Sequence, residues 1–161
     1  MSDREKIVLT PRGLKRIDDE LRELQTVRRQ DIAEQIRQAK ELGDVAENTE
    51  YETAKTEQAF LEGRISELKG ILSNCIVIED EDIRTDVIGI GSLATVKDLD
   101  IDDEWEFEMV GSFEADPEHD RISNESPIGD ALFGSTVGDE VTAKTPAGQV
   151  RLKVLSIRRP D

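Results

Sequence analysis

Aromatic residues make up only 4% of this 161-residue chain, so neither a large aromatic core nor a base-stacking platform is available. The single cysteine, Cys75, excludes an internal disulfide. It continues an apolar helical stripe, which predicts a core residue rather than a reactive thiol. The lone histidine, His119, lies in the acidic run Asp116-Pro117-Glu118-His119-Asp120. It reads as a surface residue rather than a metal ligand or general base. No apolar run approaches the ~20 residues of a membrane span, and the charged N-terminus has no signal-peptide core. A cytoplasmic protein with no membrane partner is expected.

What the chain does have is charge. Charged residues reach 36%, equal to the hydrophobic share, which suits a long helical pair beside a small folded module better than one compact globule. The formal net charge of -16 is unevenly placed. Residues 1–75 hold 13 Lys and Arg against 16 Asp and Glu, a net of -3; residues 76–161 hold 8 against 21, a net of -13. Phosphate affinity depends on cationic neutralisation, so the second half should avoid bare nucleic acid and suit a basic protein surface.

Two helices are predicted in the first half. Thr10 is placed to cap the first, with Pro11 at the position where its missing N–H costs nothing. Leu14, Ile17, Leu21 and Leu24 follow at the alternating three- and four-residue spacing of a coiled-coil seam. The stripe loosens at Arg28 and Asp31, then resumes at Ile32, Ile36 and Ala39. At ~1.5 Å per residue the stretch from Pro11 to Leu42 predicts a helix of roughly 45–50 Å. Ala54, Gln58, Leu61, Ile65, Leu68, Leu72 and Cys75 repeat the spacing in a second helix. A short connection makes the pair antiparallel. Gly63 and Gly70 sit off the seam with no assignable role.

The acidic run Glu79-Asp80-Glu81-Asp82 predicts a boundary. The expected organisation is α+β in two domains: an antiparallel coiled-coil hairpin over 1–78, an acidic and flexible linker over 79–86, and a small domain over 87–161. In the last, the period changes to two. Ile88 to Val96 reads as strand, and Trp105, Phe107 and Met109 alternate with Glu104, Glu106 and Glu108 as in a half-buried strand. A short helix is expected from Pro127 to Phe133, stopped by Gly134. Val141–Lys144 and Val150–Ile157 flank a hairpin turn at Thr145-Pro146-Ala147-Gly148.

The two long helices meet at Gly43-Asp44-Val45-Ala46-Glu47-Asn48-Thr49-Glu50-Tyr51. Two readings of its acids stand. Asp44 with Glu47 three residues later matches a capping box loosely, Asn48 is an alternative cap, and acids favour a helix N-terminus electrostatically. Alternatively, Asp44 and Glu47 offer oxygens to Mg²⁺. Two carboxylates are too few for an independent magnesium site, so another molecule would have to complete the shell.

The tip run matches G-D-x-x-E-N-x-E-Y at every fixed position, and the chain resembles the bacterial Gre transcript-cleavage factors, of the GreA type, along essentially its whole length. The resemblance extends to Leu9-Thr10-Pro11-Arg12-Gly13-Leu14, Glu62-Gly63-Arg64-Ile65 and Leu72-Ser73-Asn74. It continues through Ile122-Ser123-Asn124-Glu125-Ser126-Pro127-Ile128-Gly129, Ala131-Leu132-Phe133-Gly134 and Thr145-Pro146-Ala147-Gly148. It implies a factor, monomeric and without a cofactor of its own, whose coiled coil enters the secondary channel of bacterial RNA polymerase. There Asp44 and Glu47 would help the polymerase hold a shared Mg²⁺ while its active site cuts backtracked RNA near the extruded 3′ end. Asn48, Glu50 and Tyr51 would support the tip, and the factor alone would not hydrolyse RNA.

The resemblance further implies an FKBP-like second domain that docks on the polymerase, with Ser123, Ser126 and Pro127 as candidate contacts or simply loop structure. Prolyl isomerase activity is not expected, because that pocket needs a cluster of aromatics. Arg28, Arg29, Arg37, Lys40 and Lys55 are candidates to touch RNA or the channel wall, or form an ordinary solvated face. Two other function classes remain open: a related channel-blocking inhibitor without cleavage stimulation, against which the intact tip motif speaks, and a coiled-coil scaffold or chaperone.

Overall fold

The computed structural model describes residues 7–43 and 48–160, which form two compact units. One is Leu14–Asn74; the other joins the described residues up to Gly13 to those from Cys75 onward. A helical hairpin and a mostly antiparallel β unit with one short helix give the α+β class expected.

The start of α1 (Pro11–Glu23) follows from its capping residues. The Thr10 hydroxyl oxygen accepts the Gly13 N–H at 3.0 Å, and Pro11 takes the first helical position. The helical backbone continues through a five-residue π segment, Leu24–Arg28, into α2 (Arg29–Glu41). This segment explains the loosened stripe. A seam running on from Leu24 at the same alternating spacing would meet Arg28 and then Asp31. The wider π turn absorbs one extra residue and brings Ile32 to the buried face instead. Helix α3 (Thr49–Ser73) then returns. The pairs Glu20–Arg64, Arg29–Glu62 and Ala39–Asn48 run in opposite sequence directions, so it lies antiparallel. Ile17, Leu21, Ile32 and Ala39 are buried on the outgoing arm of the hairpin, and Ala54, Leu61, Ile65, Leu68 and Ile71 on the returning helix. Both arginine pairs are bidentate. Arg64 meets Glu20 at 2.8 and 3.0 Å, and Arg29 meets Glu62 at 2.9 and 2.7 Å.

In the second unit, β1 (Ile7–Leu9) pairs in parallel with β2 (Cys75–Val77). A separate five-stranded sheet has the order β5-β4-β3-β7-β6, where β3 is Leu93–Asp98, β4 Asp103–Val110, β5 Arg121–Ser123, β6 Glu140–Thr145 and β7 Gly148–Arg158. All its pairings are antiparallel except β4 with β5. Ile88, Ala94, Val96, Phe107, Met109, Leu132, Leu152 and Val154 form its core. Trp105 packs against that core, its ring centroid 5.8 Å from that of Phe107. Helix α4 (Pro127–Leu132) supplies Leu132 and lies over β6.

Four expectations need correction. Residues 7–13 and 75–78 join the β unit instead of the hairpin, because strands of three residues show no readable period and their pairing is visible only in space. Cys75 accordingly lies half-buried in β2; α3 has already ended at Ser73, and Ile71 closes the seam. The expected linker is folded: Asp80–Asp82 forms a 3₁₀ turn, Ile83 is buried, and the Arg159 guanidinium donates to the Ile83 carbonyl at 3.1 Å. The strand expected from Ile88 starts at Leu93, because Ser92 closes a loop before it, accepting the Gly89 N–H and donating to the Arg84 carbonyl.

Candidate functional site

Asp44 and Glu47 lie outside the described residues, in the stretch of sequence between the end of α2 and the start of α3. Helix α2 ends at Glu41 with Leu42 as C-cap, and Leu42 is 66% exposed despite being apolar. Gly43 follows at φ +134°, a backbone conformation that residues with a Cβ rarely adopt, so the leading glycine of the motif has a backbone reason. On the returning side Asn48 is extended (φ -89°, ψ 101°) and caps α3, its Oδ1 accepting the Tyr51 N–H at 3.0 Å. Of the alternatives open in the sequence, the α3 cap is thus Asn48. Its Nδ2 donates across the hairpin to the Ala39 carbonyl. Glu50 sits exposed in the first turn of α3, where a carboxylate favours the helix dipole, and Tyr51 is half-buried. Among the described residues no cluster of three or more His, Cys, Asp or Glu could hold a metal ion.

The candidate cations divide into two sets. Arg29 is engaged by Glu62, whose carboxyl is held below its ordinary range by the guanidinium hydrogen bonds. Arg37 is engaged by Glu34 and Glu41 on its own helix. Lys55 donates to the Gln58 side chain at 3.1 Å, while Arg28 and Lys40 are exposed and have no ion-pair partner among the described residues. Glu62, 33 residues from Arg29, was not legible as its partner, whereas Glu34 at three residues from Arg37 was a findable signal.

Ser123 and Ser126 build a turn. The Ser126 hydroxyl accepts the Gly129 N–H at 3.1 Å as N-cap of α4 and donates to the Ser123 carbonyl at 2.7 Å. Ser123 Oγ accepts the Glu125 N–H and lies 3.1 Å from Ser112 Oγ. Pro127 is exposed on the first turn of α4. His119 is exposed and bonds Asp116 at 2.7 Å.

Sequence reasoning missed the residue that holds Thr10, the cap of α1, from 104 positions along the chain. Glu114, 8% exposed, accepts the Thr10 N–H at 2.7 Å and the Thr10 hydroxyl at 2.8 Å. A Cβ on Gly13 would lie 2.2 Å from the Glu114 carboxyl carbon, so the Thr-Pro-Arg-Gly opening is shaped around this carboxylate.

Antiparallel helices joined through an acid-bearing stretch of sequence, with an acidic β unit, have known counterparts. Residues 7–77 match the family described as transcription elongation factor, N-terminal, and residues 83–159 match transcription elongation factor, GreA/GreB, C-term. Those matches define the class, a transcription elongation factor built from two parts. The transcription elongation factor GreA of Acetivibrio thermocellus is 48% identical over 159 residues, covering 99% of this chain and all of the relative. That of Alkaliphilus oremlandii is 50% identical, covering 99% of each. Among solved structures, GreA factor homolog 1 (Gfh1) of Thermus thermophilus is similar at a TM-score of 0.44 and 30% identity, covering 95% of this chain and 99% of that one. The chain belongs to the GreA/GreB family of transcription elongation factors and is of the GreA type.

Proposed function

We propose that this protein enters the secondary channel of bacterial RNA polymerase and stimulates the polymerase's own Mg²⁺-dependent cleavage of backtracked RNA, releasing arrested complexes. The observation that carries the reading is the placement of an intact G-D-x-x-E-N-x-E-Y run between two antiparallel helices. The full-length GreA relatives support it.

In this reading Asp44 and Glu47 add carboxylate oxygens to a Mg²⁺ that the polymerase partly holds, since two carboxylates suffice only when a partner completes the shell. The ion, when bound, supplies an activated water and charge stabilisation for in-line displacement. The protein contributes ligands and position, and has no hydrolytic activity alone. Asn48, Glu50 and Tyr51 support the tip. Arg28, Lys40 and Lys55 are the cations available to the extruded RNA 3′ end or the channel wall, because Arg29 and Arg37 are already committed to carboxylates. Pro127 contacts the polymerase from a turn that Ser123 and Ser126 hold in shape. The factor acts as a monomer.

The test is RNA length analysis on backtracked complexes. Asp44→Asn with Glu47→Gln is expected to lower the maximal cleavage rate by at least about tenfold to a hundredfold, the range typical for disturbing a metal site. Cleavage at the unmodified rate by that double variant sinks the assigned roles.

A further inference from the structure

The geometry points to Asn48 as the positioning residue of the tip, a bifunctional clamp that sets the spacing of the two helix ends. An N-cap needs only an acceptor, and Ser, Thr or Asp supply one as well as Asn does. Here the acceptor bonds the Tyr51 N–H, while the Nδ2 donor, which capping does not require, reaches the Ala39 carbonyl on the opposite helix. The same carbonyl accepts the Leu42 N–H at 3.2 Å, within the last turn of α2. One planar amide therefore closes the N-terminus of α3 and the C-terminus of α2 together. Aspartate has no donor, and a serine hydroxyl, although it can accept and donate at once, has a single oxygen one bond nearer the backbone than the two arms of the amide, too short to serve both helix ends.

The seam beneath explains why a polar clamp sits here. Toward the tip the buried residues are Ala39 and Ala54, whereas farther along the seam is held by Ile32, Leu61 and Ile65. Two methyl groups let the helices approach but contribute little apolar area to hold them in register. With the amide in place, the spacing of the two helix ends is set by a hydrogen bond between the helices themselves. The consequence for cleavage rests on the tip-acid function proposed above; the clamp itself does not.

Two measurements on the full-length protein keep these apart. In a Cys75→Ser background, spin labels at Lys40→Cys and Glu52→Cys report the spacing of the helix ends without polymerase. A narrow distance distribution is expected with Asn48 and a broadened one with Asn48→Ser, at unchanged far-UV helicity. Equal distributions overturn the clamp. On backtracked complexes, Asn48→Ser and Asn48→Asp, both of which retain a cap acceptor, are expected to lower the maximal cleavage rate about tenfold. The factor concentration giving half-maximal rate should not move. A full rate in either variant, or a change confined to that concentration, overturns the positioning role. Absence of cleavage with the unmodified protein overturns the proposed function instead, and the spin-label result still decides the clamp.

Discussion

Gly13 shows how one residue's context reverses its expected energetics. In an exposed helix interior, Gly→Ala stabilises by about 1 kcal/mol. At position 13 the new Cβ meets the Glu114 carboxylate, which is buried and holds two hydrogen bonds to Thr10. Hydrogen bonds to charged groups contribute about 1.5–3 kcal/mol each, so Gly13→Ala is expected to destabilise by about 2–4 kcal/mol in urea unfolding. A methyl group added at Gly63 or Gly70 meets open space, so Gly63→Ala and Gly70→Ala should each stabilise by about 0.5–1 kcal/mol in the same assay. Asp86 sets a pH dependence. Hydrogen bonds from the Arg84 guanidinium, with help from the Val87 N–H, hold its carboxyl at about 2. A depressed folded value means that the contribution is present above the ordinary aspartate value of about 3.9 and is lost as pH falls toward about 2. Asp86→Asn is therefore expected to flatten the fall in melting temperature over that window. An unaltered profile counts against the pairing.

At the scale of elements, the π segment Leu24–Arg28 acts as a one-residue insertion in an otherwise regular helix. Deleting exposed Val27 should return the segment to α geometry, keep Ile32 on the seam and leave hairpin stability within about 1 kcal/mol. Deleting Gln35 from α2 has no such compensation and should rotate Ala39 off the buried face. Equal destabilisation by the two deletions in urea unfolding refutes the insertion account. The hairpin was legible from its spacing because Ile17 and Leu21 before the π segment, Ile32 and Ala39 after it, and Leu61, Ile65 and Leu68 on α3 each keep a helical spacing wherever the rest of the chain lies. The β1–β2 pair was not, because Ile7–Leu9 and Cys75–Val77 are each too short to show a period. The strand at Asp103–Val110 was legible until its end, where Glu108 is buried too and the alternation breaks.

For the whole molecule, charge is the property with the longest reach. The 21 acidic residues against 8 basic ones beyond residue 75 predict docking to a basic surface, weakened by added salt as the screening length falls below ~8–10 Å. Binding to polymerase measured between low and high ionic strength checks this, and salt-insensitive affinity counts against electrostatic docking.

Hydrophobic spacing and residue chemistry, both local properties, were enough to establish the helical pair, the alternating strands, the acidic asymmetry and the motif at the turn. Tertiary structure alone decided that Glu114 holds the capping residue Thr10 from 104 positions further along the chain, that Arg29 is occupied by Glu62, and that the Asn48 amide joins two helices. The physical reason is directional. Apolar burial follows a period that any stretch of sequence displays, whereas a hydrogen bond needs a partner whose position exists only after the chain has folded.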